Sequence, residues 1–191
     1  MSDVEPDFDA LRCVVEDLAY HQARVLLLVQ AVAADPGHAR KLDGLTKLAK
    51  LDFLVRYPAL ASTVLDNLAD PEPRMHLSDD EVAAPTEVED PMTRYKYGPW
   101  DDRYYPVVGA LVSRGLLRYV KGRRGSVALT PTPAGKALAS ELTQEPLWRT
   151  TADRCAAIAE ASAGLSGNAV KELIYERLAD LMDRPHREVI T

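Results

Sequence analysis

Residues 115–138 read GLLRYVKGRRGSVALTPTPAGKAL, and two features of this stretch organise the rest of the chain. LLRYV and SVALT alternate inward and outward at period two, and KGRRG between them supplies glycines for a turn, so the stretch predicts a β-hairpin. Arg118 lies on its first strand, and Lys121, Arg123 and Arg124 gather at its tip. TPTPAGKAL then restarts a helix under threonine and proline caps.

Working back from the hairpin, DDRYYPVVGALVSRG predicts a helix from Asp101 to Arg114, with Val107, Val108, Leu111 and Val112 on one face and Gly115 as its stop. MTRYKYGPW before it reads as a short strand closed by Gly98 and Pro99. From Phe8 to Ala34, Leu11, Val14, Val15, Leu18, Val25, Leu28, Val29 and Val32 recur at three- and four-residue steps, the stripe of a long amphipathic helix. LTKLAKLDFLVRYP gives a second, shorter helix, and PALASTVLDNLA a third with Pro58 in its first turn. PLWRTTADRCAAIAEAS and NAVKELIYERLADLMD predict two more after the hairpin. Residues 70–91, rich in Pro, Asp and Glu, are expected to be an exposed, flexible insertion or linker.

The net charge of −6 is unevenly distributed. Residues 1–35 carry −5, 36–56 carry +3, 57–90 carry −8, 91–136 carry +7 and 137–191 carry −3. Because salt limits the reach of distant carboxylates to about 10 Å, a basic patch on one face of an acidic protein can still hold phosphate. Arg94, Lys96, Arg103, Arg118, Lys121, Arg123 and Arg124 are therefore the candidate DNA-binding residues, directed at backbone rather than bases. The helix preceding the hairpin offers acids, Arg103 and tyrosines where a base-reading helix would carry Arg, Asn, Gln or Ser.

Five of the twelve aromatic residues fall within eleven positions: Tyr95, Tyr97, Trp100, Tyr104 and Tyr105. Such a cluster either props up the hairpin from inside or anchors a partner from outside, and these five are the candidate partner-binding residues.

Catalytic and cofactor patterns are absent from the sequence. Gly135-Lys136 is followed by Ala137, and Thr130 stands where a phosphate loop needs its first glycine. His21, His38, His76 and His186 have no metal-ligand spacing, and Ser113 and Ser126 have no evident triad partners. The pairs Asp79-Asp80 and Asp101-Asp102 read as a solvated linker and a helix start. No enzyme activity, cofactor or metal is expected. Two distant cysteines, Cys13 and Cys155, suit a reduced, cytoplasmic protein, and neither a secretion signal nor a membrane span is legible.

In order, helix, helix, spacer, helix and hairpin form a winged-helix pattern, and SRGLL, the hairpin and LTPTPAGKAL resemble the wing of bacterial MarR and PadR regulators. The expected fold is mainly α with a small β-hairpin wing: a winged-helix (winged helix-turn-helix) core with extra N- and C-terminal helices. Its parts are residues 1–69, the insertion 70–91, residues 92–144 carrying strand, recognition-position helix, wing and following helix, and a C-terminal helical extension, 145–191. Three strings, KLDGLTKLAKLDFLVRYP, MTRYKYGPWDDRYYPVVGALVSRGLL and SGNAVKELIYE, resemble the middle-component subunits of bacterial ABC-three-component systems, which include Lamassu-type anti-phage defence. The resemblance implies a non-catalytic accessory subunit of an SMC-like or Rad50-like ATPase that also works with a nuclease-like effector subunit. DNA backbone and a second copy of the chain are further expected partners. The alternative is a stand-alone winged-helix transcription regulator.

Overall fold

A computed structural model of the chain describes residues 8–69, 71–83 and 92–190, with the backbone alone for 8–17, 80 and 83. The protein is mainly helical with a small antiparallel sheet. Helix α1, Phe8–Ala34, runs the full length that the apolar spacing predicts, and Val25, Leu28, Val29 and Val32 are buried along it. The side chains of Leu11, Cys13, Val14 and Val15 lie outside the described residues. Asp35 ends the helix by accepting from the Gly37 amide at 2.7 Å, which starts a 3-10 turn at Pro36–His38.

A two-residue strand, β1 (Leu42–Asp43), follows. The sequence reading missed it, because two residues carry too little alternation to register. Helix α2, Leu45–Arg56, and helix α3, Pro58–Val64, divide at Tyr57-Pro58 as the proline rule predicts. Every residue of α2 from Lys47 to Arg56 is buried, four charged ones included. A helix enclosed on all sides must pair its charges internally, because an ion removed from water costs several kcal/mol unless its partners are close.

Residues 71–83 have more structure than expected of a flexible linker. A 3-10 turn at Pro73–Met75 and a short helix, α4 (Asp79–Ala83), sit beside helix α7, Pro146–Ala161. Arg154 of α7 donates to both Glu81 oxygens at 2.8 Å, and Arg74 donates to Glu160 at 2.7 Å. The remainder of that segment, 84–91, lies outside the described residues.

MTRYKYGPW forms two strands rather than one. β2 (Thr93–Tyr95) and β3 (Gly98–Trp100) pair as Thr93 with Trp100 and Tyr95 with Gly98. Gly98 permits the turn with φ +94°, and a Cβ there would lie 3.3 Å from both the Lys50 ammonium and the Tyr175 ring. Helix α5, Tyr104–Ser113, starts three residues after the expected Asp101. The Asp101 carboxylate instead accepts from the Arg103 amide and guanidinium at 2.9 Å, so it closes the turn ahead of the helix.

The basic hairpin is present as β4 (Leu117–Lys121) and β5 (Val127–Pro131), with Arg118 opposite Thr130 and Lys121 opposite Val127. β1 adds to β5 through Leu42 with Leu129 and Asp43 with Ala128, which gives the order β1-β5-β4. Helix α6, Pro133–Gln144, explains the motif that follows. Thr132 accepts from the Gly135 amide at 3.1 Å and donates to the Gly115 carbonyl at 2.6 Å. A Cβ at Gly135 would collide with the Leu116 carbonyl, so threonine and glycine together seat α6 against the hairpin's base.

The single last helix expected from NAVKELIYERLADLMD is broken in two. α8 (Gly167–Arg177) ends where Leu178 leaves helical geometry, and α9 (Ala179–Met182) restarts the chain. The closing residues then join β2 through a bridge between Thr93 and Val189. In the core α7 packs along α1, and α2 lies among α7, α8 and β3. No helix of the described residues is long and apolar enough to cross a membrane.

Candidate nucleic-acid interface

The hairpin departs from strict alternation: Arg118 and its neighbour Tyr119 are both exposed, and Ala128 and its neighbour Leu129 both buried. Leu117 and Leu129 turn inward and are buried, while Arg118, Lys121, Arg123 and Arg124 are exposed. Four of the seven candidate DNA-binding residues therefore stand together on one element. Tyr119, 54% exposed, and Val127 add apolar surface beside them. Arg124 adopts a left-handed conformation, φ 51°, at the tip.

The tip is fixed from below by one carboxylate. Asp43 of β1 accepts from the Arg123 amide at 3.0 Å and from the Ser126 hydroxyl at 3.1 Å. Lys41 donates to the Lys121 carbonyl at 2.9 Å from the same side. A Cβ at Gly122 would meet both Asp43 and Ser126, so glycine is required for this close approach. The acid thus takes up backbone and hydroxyl donors and leaves the hairpin's cationic side chains facing water. The Arg123 guanidinium, two-thirds exposed, lies 3.8 Å from it.

The other three candidate cations are placed elsewhere. The Arg94 guanidinium donates twice to the Met182 carbonyl, at 2.9 and 2.8 Å, and so ties β2 to the C-terminal segment. Arg103 is bound to Asp101 and to His21. Lys96 is exposed in the β2–β3 turn, with its ammonium 5.4 Å from the centre of the Tyr97 ring. Of these three, only Lys96 is exposed; Arg94 and Arg103 are half-buried and engaged within the fold.

The aromatic cluster also divides. Tyr104 is 1% exposed and belongs to the core, which removes it from a partner surface. Trp100 packs edge-on against it at 5.4 Å between ring centres, and also touches Tyr95 and Tyr105 at 6.0 and 5.9 Å. Tyr95, Tyr97 and Tyr105 remain exposed, at 42%, 52% and 65%.

Behind these surfaces lies a charge network that the sequence reading did not anticipate. Asp52, at the middle of α2 and fully buried, accepts from Arg24 at 2.8 Å, from Arg56 at 2.9 Å and from the Tyr104 hydroxyl at 2.7 Å. Arg56 reaches on to Asp101 at 2.8 Å, and Asp101 to Arg103. Burial alone would raise the Asp52 carboxyl, but the charges of Arg24 and Arg56 and the bonds from Arg24 and Tyr104 hold it well below the carboxylate range. Asp101 is likewise opposed by burial, yet its bonds with Arg103 and the Arg56 charge bring it down to about 2. Both acids stay ionised in the folded protein.

Two buried lysines behave differently. Lys50 donates to the Pro99 carbonyl at 2.8 Å, and burial, helped by the Lys171 charge, lowers it to about 7. Lys47 donates to His38 Nδ1 and to the Leu165 carbonyl, and burial, with the Arg123 charge, lowers it to about 8. Cys155 is a fully buried free thiol, raised by that burial. Among the described residues, no group of three or more His, Cys, Asp or Glu side chains is arranged to hold a metal ion.

Compared with known proteins, the chain has no match to a protein-family model, to a curated protein or to a solved structure.

Proposed function

We propose that the protein is a non-catalytic winged-helix accessory subunit that contacts DNA backbone, without sequence preference, through the β4–β5 hairpin, within an SMC-like or Rad50-like ATPase complex of anti-phage or anti-plasmid defence. The observation that carries the DNA contact is the arrangement of Arg118, Lys121, Arg123 and Arg124: four exposed cations on a hairpin whose tip is braced from below by Asp43. A braced cationic tip loses little conformational freedom on meeting phosphate, so more of each charge contact is retained as affinity.

The winged-helix reading is supported by element order. α1, β1 and α2 are followed, beyond the 71–83 segment, by α5 and the β4–β5 hairpin, and β1 pairs with the returning strand. α5 then occupies the recognition position. Its outward residues, Tyr105, Pro106, Gly109 and Ser113, hold two hydroxyls and no amide or guanidinium, which favours backbone contact over an operator-reading regulator.

The assembly reading rests on the resemblance of the strings at 41–58 and 92–117. Those strings meet in the core, where Asp52 and Arg56 of the first face Asp101 and Tyr104 of the second. What they encode is therefore the packing of the body. Partner docking falls to the exposed Tyr95, Tyr97 and Tyr105 and to the terminal helices. Affinity purification from cells carrying the neighbouring genes tests this: a stable complex with a large coiled-coil ATPase is expected. A homodimer that protects a single operator sequence overturns it.

A further inference from the structure

Beneath the hairpin tip, the Pro36–His38 turn, the start of α2 and the residues leading into α8 line a small, partly open cleft. His38, Lys41, Asp43, Lys47, Arg123 and Ser166 line it. Three of these are cations. The one carboxylate, Asp43, is already occupied by the Arg123 amide and the Ser126 hydroxyl.

Lys47 is the informative member. It is 5% exposed, and its ammonium contacts two neutral acceptors, His38 Nδ1 at 2.9 Å and the Leu165 carbonyl. His38 is held in place by its other nitrogen, which donates to the Ala159 carbonyl at 2.7 Å. An ammonium has three hydrogens, so one remains without an acceptor among the described residues, on a side chain that lines the cleft. No carboxylate touches the Lys47 ammonium: the charges of Asp43 and Asp35 favour it without contact and that of Arg123 opposes it, so an anion in contact would satisfy it more fully.

We propose that this cleft is a phosphate-binding subsite, and that its phosphate is a backbone phosphate of the DNA held by the hairpin. A tetrahedral anion with several oxygens can accept from more than one donor at once, and Lys41, Lys47 and Arg123 all line the cleft. The exposed charges of Lys121 and Arg124 continue from Arg123 at the cleft's rim, so a strand crossing the tip passes over its mouth. The assignment of the phosphate to DNA rests on the proposed function; the cleft itself does not.

Two variants and two probes test it. Lys47→Met keeps the aliphatic stem and removes the ammonium; Arg123→Ala removes an exposed side chain and keeps the backbone amide that Asp43 holds. Inorganic phosphate, compared with chloride at equal ionic strength, is expected to raise the melting temperature of the wild-type protein and to leave both variants unmoved. A short duplex of arbitrary sequence is expected to bind each variant about tenfold more weakly, with the salt slope reduced by about one unit. If phosphate stabilises only the wild type and duplex affinity is unchanged, the cleft holds a free phosphate and the DNA assignment falls. If the wild type binds phosphate but no duplex, the proposed function fails and the cleft stands. A phosphate response equal in wild type and Arg123→Ala overturns the subsite, even if Lys47→Met does not fold.

Discussion

Tyr104 donates its hydroxyl to Asp52 across 2.7 Å and so joins the first turn of α5 to α2, two segments 52 residues apart in sequence, at a point where both side chains are closed off from water. The same carboxylate takes guanidinium donors from Arg24 and Arg56. This is the junction on which the hairpin's supporting body is built, because α5 leads directly into β4.

Removing the charge at this junction leaves two buried guanidinium groups facing a neutral amide. Asp52→Asn is expected to destabilise the fold by about 3–5 kcal/mol, the range for breaking one side of a buried ion pair. Tyr104→Phe, which keeps the ring packing and loses one bond to a charged acceptor, is expected to cost about 1.5–3 kcal/mol. Urea denaturation at neutral pH separates the two, and equal midpoints for wild type and Asp52→Asn would contradict the network's role.

The acids also set a pH dependence. The folded-state values of Asp101, about 2, and of Asp52, lower still, lie beneath the unfolded value, so their stabilisation is present above pH 4 or so and is lost as pH falls through the folded values. Melting temperatures are expected to drop steeply in acid. Asp101→Asn should lower the neutral value and flatten the drop.

Lys50 has the opposite sign. Its folded value, about 7, lies below the unfolded one, so the cost of burying it protonated is full in mild acid and is relieved as pH rises through about 7 toward the unfolded value. Lys50→Met removes that cost and leaves the Pro99 carbonyl without a donor. A net gain on the order of 1–2 kcal/mol at neutral pH is expected, or a few degrees in Tm, shrinking in alkali. A Tm below wild type at neutral pH would show that the bond to Pro99 outweighs the burial cost.

Gly122 and Asp43 shape the tip. Gly122→Ala places a methyl group against the Asp43 carboxylate and the Ser126 hydroxyl, and is expected to release the Arg123 amide. Hydrogen exchange at Arg123 should then quicken by about tenfold or more, with the α2 amides unchanged. An unchanged rate at Arg123 would show that the tip is held by other contacts.

The long amphipathic helix, the hairpin and the caps of α6 were legible in the sequence because each has a local signature: period 3.6, period two with a glycine turn, and Thr-Pro-x-Gly. The strand β1, the β2–β3 pairing and the break at Leu178 were not: β1 is defined by a partner far along the chain, and two three-residue strands or a single non-helical residue carry too short a pattern to register. The charge network was hidden for the same reason. Asp52 and Arg56 looked like ordinary polar positions of a helix assumed to have a solvent face, and only the enclosure of α2 on every side turns them into obligatory partners for Arg24, Asp101 and Tyr104. The clearest hint was compositional: KLAKLDFLVR places charge between apolar residues on more than one face. Arg94 and Arg103 were grouped with the hairpin's cations by nearness in sequence, whereas their bonds to Met182, Asp101 and His21 direct them inward.

The most direct test of the central claim is the affinity of the purified protein for duplexes of unrelated sequence, measured by fluorescence anisotropy across a salt series, with and without the triple change Lys121→Ala, Arg123→Ala, Arg124→Ala. The account predicts equal wild-type affinity for all sequences and, in the triple variant, a uniform loss with a salt slope shallower by about two to three units. Binding that is unchanged by the triple change, or confined to one sequence, would contradict it.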